Sequence, residues 1–159
     1  MKIKILINFF LIFIVGANLY SLEKLNLPEK YKIWLENEVE YIITSLEKEV
    51  FLKLHSDRER DLFIEAFWKQ RDPTPGTPVN EFKTEHYLRI QYADRYLGRS
   101  TPKPGRKTDR GRIYITLGMP DDIQRFEGKT HIYPSEIWFY QGKSDIGLPP
   151  GFNIVFFQP

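Results

Sequence analysis

A chain of 159 residues with 23 basic and 21 acidic side chains, three histidines and no cysteine holds one ordinary domain core and cannot use disulfides. An aromatic share of 15% supplies large units of buried area, so stability must rest on packing. The near-balanced charge excludes a general nucleic-acid binder, which would be strongly basic.

The first element is an address. Lys2 and Lys4 give a positive start, Ile5 to Val15 is apolar apart from Asn8, and Gly16, Ala17, Asn18 and Ser21 follow. Positive, apolar, then small is the pattern of a secretory signal peptide over residues 1–21. The apolar run is shorter than the roughly 20 residues a spanning helix needs, which favours cleavage near Ala17 or Ser21 over a signal anchor kept at residues 5–20. No cysteine is present to carry a lipid. Without Lys2 and Lys4 the basic and acidic residues are equal in number, so the remainder is formally neutral. The chain therefore reads as exported: periplasmic or extracellular, or membrane-anchored by residues 5–20, where nucleic acid is rarely met.

Helices come next. Pro28 suits a first turn, and Tyr31, Trp34, Leu35, Val39 and Ile42 recur at helical spacing, although residues 39–44 also fit a short extended piece. Thr44-Ser45-Leu46-Glu47 and Ser56-Asp57-Arg58-Glu59 each read as a capping box, in which the hydroxyl accepts from an orphan amide and the Glu reaches back. They open two short helices with a turn near His55. Pro73, Pro75 and Pro78 make residues 71–78 a link that cannot be helical. Thr77-Pro78 reads as the cap and first turn of a helix running to about Leu97, with Val79, Phe82, His86, Ile90, Ala93 and Leu97 as its inner stripe and Gly98 as its stop.

After a basic loop at residues 99–108 the period changes to alternation. Residues 112–117 read as a strand, 118–121 as a turn, 122–127 as a short helix or a strand, and 136–140 and 152–157 as strands. Helices first and strands after, without alternation, predict an α+β fold: N-terminal helices packed on a small antiparallel β-sheet. The organisation is a helical half at 22–98 and a strand half at 99–159, together one domain at 22–159. No closing element follows residue 157, which reads as a chain cut short of its natural end.

Two stretches carry a family resemblance. The first is Phe67-Trp68-Lys69-Gln70-Arg71-Asp72-Pro73-Thr74-Pro75, then Asn80-Glu81-Phe82, His86-Tyr87, Arg89-Ile90 and Tyr92-Ala93. The second is Gly105-Arg106-Lys107-Thr108-Asp109-Arg110-Gly111-Arg112, followed by Gly118, Pro120 and Asp121. Their order and spacing resemble the bacterial GWxTD domain family. Gly105, Thr108 and Asp109 match the namesake motif, and Arg106 stands where the family has Trp. The resemblance implies exported envelope proteins, often with further sequence after the domain, and brings no assigned activity.

Candidate site residues are Trp68, Arg71, Asp72, Asn80, Glu81, Thr108, Asp109 and Arg110. Asp109 and Arg110, expected in a turn feeding a strand, offer an acceptor and a fork for carboxylate or phosphate; a capped turn with a structural ion pair uses the same residues and is the commoner use. Trp68, Arg71 and Asp72 make either a mixed platform or a helix end, where Arg71 suits the dipole and Asp72 the turn. A proline link that folds back would let Arg71 pair with Glu81 or Asp109. Arg99, Lys103, Arg106 and Lys107 offer an anionic surface a contact, or merely solvate a loop. His55, His86 and His131 have no metal spacing, and no hydrolase elbow, zinc-protease helix or phosphate loop is present; no cofactor or metal is expected. These residues support a protein-interaction or scaffolding module whose partner is another envelope protein. The alternative is an enzyme on an envelope substrate with a polar site around Asp109 and Arg110.

Overall fold

The computed structural model describes residues 27–98, 101–127 and 133–157. Residues 1–21, expected to be the export signal, Arg99 and His131 lie outside the described residues. Among the described residues five α-helices precede a three-stranded antiparallel sheet, so the α+β expectation holds. The chain divides into two compact units, one ending at Thr84 and one beginning at Glu85. Among the described residues no helix is long and apolar enough to cross a membrane.

In the first unit, α1 (Glu29–Ile33) starts on Pro28, whose carbonyl accepts from Tyr31 and Lys32. It runs into a wide π turn at Trp34–Glu38, closed by Val39 N–H on the Trp34 carbonyl at 3.0 Å. The expansion keeps Tyr31, Trp34, Leu35 and Val39 buried together. Both capping boxes form: Thr44 with Glu47 opens α2 (Ser45–Leu52), and Ser56 with Glu59 opens α3 (Asp57–Lys69). Their inward rings join Trp34 in one aromatic cluster, with Phe51 4.9 Å and Phe67 5.2 Å from it.

α4 (Glu81–Tyr96) is entered differently from expectation. Its cap is Asn80, whose Oδ1 accepts from Lys83 N–H at 2.8 Å; Pro78 fixes the preceding backbone, and Thr77 donates instead to the Val79 carbonyl. His86, Ile90, Ala93 and Leu97 are buried as the stripe predicts, while Val79 and Phe82 are exposed.

In the second unit, a single 3-10 turn at Gly105–Lys107 leads into α5 (Asp109–Leu117). This corrects the expected strand at 112–117. Ile113, Ile115 and Leu117 alternate, but burial falls on Gly111, Ile115 and Gly118, which is a helical spacing. Thr108 nucleates the helix by accepting from Gly111 N–H at 3.0 Å, and Gly118 ends it at φ 83°, a conformation glycine adopts without strain.

The strands are β1 (Asp122–Phe126), β2 (Ser135–Gln141) and β3 (Gly151–Phe157), in the spatial order β1-β2-β3. Residues 122–126 thus take the strand alternative. In register, Ile123, Trp138 and Ile154 share one face with Tyr140, Phe152 and Phe156; Ile137, Phe139, Val155 and Phe157 share the other. The first face is the packed one. Trp138 and Tyr140 are buried, Phe156 meets Trp138 edge-on at 4.9 Å, and Tyr114 of α5 approaches Trp138 at 6.4 Å.

Candidate functional site

The motif at residues 105–111 is built on close backbone approach. A Cβ on Gly105 would stand 1.8 Å from the Ala93 carbonyl oxygen, and one on Gly111 would stand 1.9 Å from the Gly105 carbonyl oxygen. Only glycine allows α4, the 3-10 turn and α5 to stack in this way. The hydroxyl of Thr108 then ties the three pieces together. It donates toward the Gly105 carbonyl at 2.8 Å, lies 3.3 Å from the Leu97 carbonyl, and accepts from Gly111 N–H.

Asp94 and Arg106 lock the stack. Asp94 accepts from the Arg106 backbone N–H at 2.9 Å and from Nε at 2.8 Å, and Arg106 Nη2 closes on the same carboxylate. Burial pushes the Asp94 carboxyl up, but the Arg106 guanidinium and backbone N–H outweigh it and hold it below the usual carboxylate range. Arg106 therefore belongs to the fold and is not a free cation of the basic loop.

Thr108, Asp109 and Arg110 begin a helix and do not form a turn feeding a strand. Thr108 alone does the capping. The Asp109 side chain is 83% exposed and 3.5 Å from Arg112, in the first turn where an acid suits the helix dipole. Arg110 reaches Glu136 of β2 at 3.4 Å. Glu136 is a hub: it also accepts from Arg125 of β1 at 3.1 Å and from the Trp138 indole N–H. Sequence reasoning missed both Glu136 and Asp94. An acid beside the buried Ala93, followed by a run of basic residues, was the available signal for Asp94.

The other candidates lie in the first unit and serve its own geometry. Arg71 Nη2 binds the Glu47 carboxylate at 2.8 Å, its Nη1 donates to the Phe67 carbonyl at 3.1 Å, and its guanidinium covers the Phe67 ring at 3.6 Å. Burial pushes the Glu47 carboxyl up, yet its bonds from Thr44 and Arg71 bring it below the usual range. The expected pairing of Arg71 with Glu81 or Asp109 is thus replaced by a carboxylate that the capping box already holds in place. Glu81 accepts from the Thr74 hydroxyl, with the Thr77 hydroxyl 3.2 Å away, and the Thr74 bond above all holds its pKa down. Asp72 accepts from Thr74 N–H at 3.0 Å. Asn80 donates to the Trp68 carbonyl at 2.7 Å while capping α4. Trp68 is 4% exposed, which removes it as an open platform.

One shallow depression of about 230 Å³ is bounded by Thr101, Pro102, Lys103, Lys107, Thr108 and Asp109. His86 is not among its walls; it is 3% exposed, with Tyr87 edge-on at 5.9 Å. Among the described residues no group of three or more His, Cys, Asp or Glu is placed to hold a metal.

The sequence profile of the GWxTD domain family matches residues 24–149. Comparison with curated proteins and with solved structures returned no match.

Proposed function

This chain belongs to the GWxTD domain family, and from that membership we propose that it is an exported, envelope-associated module that binds or scaffolds another protein and carries out no reaction of its own. The observation that carries this reading is the engagement of the motif's charged groups. Arg71 is on Glu47, Arg106 on Asp94 and Arg110 on Glu136, each partly withdrawn from water and each joining two elements of its own unit. Groups spent on holding a fold are not poised to bind a substrate or move a proton. Asp109 is open to water, but His86, its suggested partner in the enzymatic alternative, is buried and does not border the depression beside Asp109. The positive, apolar, small order of residues 1–21 supports export.

The experiment is a genetic one with two readouts. Asp109→Asn is made in the full chain, and the phenotype of the deletion strain is compared with photo-crosslinking from an exposed position such as Leu88. An interaction module keeps both its adduct and its complementation, because Asp109 is exposed and its ion pair among the described residues is with its helix neighbour Arg112. Loss of complementation with fold and adduct intact would transfer the assignment to the enzyme. Protease accessibility in osmotically opened cells, against none in intact cells, checks the periplasmic address.

A further inference from the structure

Helices α4 and α5 meet through tyrosine. The rings of Tyr92 on α4 and Tyr114 on α5 lie nearly parallel, 14° apart in plane, with centroids 4.4 Å apart. Tyr96 leans on Tyr92 from the next turn of α4 at 4.7 Å, inclined by 47°. Tyr92 is 40% exposed and Tyr114 is half-buried. Behind Tyr114 stands the buried Trp138, edge-on at 6.4 Å. Stacking of this kind packs two helices equally well with phenylalanine. Tyrosine adds a pair of oxidisable phenols held face to face, one of them open to water.

We propose that Tyr92 and Tyr114 are a modification site, at which peroxide acting through a haem peroxidase couples the two rings into an intramolecular dityrosine. Each phenol gives up one electron and one proton, and the two phenoxyl radicals join through ring carbons ortho to oxygen. One C–C bond forms, and the ortho hydrogens return to the two oxygens through water as the rings regain aromaticity. The two electrons and two protons pass to hydrogen peroxide, whose O–O bond breaks to give two waters. Tyr92 is the entry point because it is the more exposed partner, and the short ring separation lets the second oxidation reach Tyr114. Burial and, after it, the Tyr92 phenol push the Tyr114 hydroxyl up, so at neutral pH its proton leaves with its electron. The parallel pair sets ring edges opposite each other across two helices, whereas Tyr96 is inclined to Tyr92 and shares its helix. A crosslink from 92 to 114 closes a loop around the Gly105 turn and staples α4 to α5. The chain has no cysteine, so disulfides cannot supply such a staple in an oxidising compartment. The proposal goes beyond the interaction reading and does not depend on which protein the module binds.

The test treats the dilute full chain with hydrogen peroxide and a haem peroxidase, then isolates the monomer for fluorescence and peptide mass spectrometry. The monomer should show the blue dityrosine emission, lose the mass of two hydrogens and yield a peptide pair joining Tyr92 to Tyr114. Tyr92→Phe and Tyr114→Phe keep a ring in the stack and should each lose the crosslink, while Tyr96→Phe should keep it. In the crosslinked monomer the unfolding transition reported by Trp138 should move to higher denaturant, since closing a loop constrains the unfolded chain. Met119, 72% exposed, takes one oxygen from peroxide as a sulfoxide and shows that oxidant reached the chain. A monomer with Met119 oxidised and no crosslink overturns the proposal. So does coupling found only between chains, or a crosslink that survives Tyr114→Phe or is lost in Tyr96→Phe. The Leu88 adduct is measured without oxidant, so failure here leaves the interaction reading standing.

Discussion

Asp94 gathers three bonds from Arg106 on one partly buried carboxylate, which makes it a pH-dependent strut. Its folded pKa lies below the ordinary value of 3.8. A depressed carboxylate contributes stability above its unfolded pKa and loses that contribution as pH falls through the folded one. Urea midpoints measured from about pH 6 down to about pH 2 should therefore fall less steeply for Asp94→Asn than for the parent; equal slopes would remove Asp94 from the account. The glycines give a sharper test. Gly105→Ala and Gly111→Ala each place a methyl inside a carbonyl oxygen, and each should cost about 3 kcal/mol or more. Gly76→Ala, with nothing within 4 Å of the new methyl, should stay within about 0.5 kcal/mol. None of this was legible in the sequence. The motif glycines stood out, but as a turn, because which backbone a glycine must let pass is a tertiary fact.

At the scale of elements, what depends on neighbours within four residues was legible. The capping boxes at Thr44 and Ser56 formed as read, since both partners are local. The order of helices and strands also held, because it rests on periodicity over whole segments. The segment 112–117 was misread because β-branched alternation and helical burial coincide over six residues, and the deciding contact is Thr108 with Gly111. The cap at Asn80 was missed for a similar reason: Thr77-Pro78 has the right form, but its hydroxyl is used elsewhere. A ranking follows. Thr44→Ala and Ser56→Ala should each cost about 1 kcal/mol. Thr108→Val should cost roughly twice that, since it removes a cap and also the bond to Gly105. Guanidinium-chloride midpoints read by circular dichroism at 222 nm give the order, and a Thr108 cost no larger than the other two would show that its bonds beyond the cap contribute little.

The whole molecule offers a way to watch its parts separately. Each unit carries its own aromatic cluster. Tyr31, Trp34, Phe51, Phe63, Phe67 and Trp68 form one, and Tyr114, Trp138, Tyr140, Phe152 and Phe156 form the other. With two of the three tryptophans in the first unit and one in the second, fluorescence can be assigned by substitution. Trp138→Phe leaves only the first unit emitting, and Trp34→Phe with Trp68→Phe leaves only the second. Phe51 is 0% exposed and lies against Trp34, so Phe51→Ala removes a buried ring at a cost of about 3–5 kcal/mol. That loss belongs to the first cluster. The denaturant midpoint reported by Trp34 and Trp68 should drop by more than the midpoint reported by Trp138, with a separable transition as the outcome. Gly111→Ala should reverse the order, because its clash lies in the second unit. Identical shifts in both reporters for both substitutions would show a single cooperative transition and would refute the division of stability between the units.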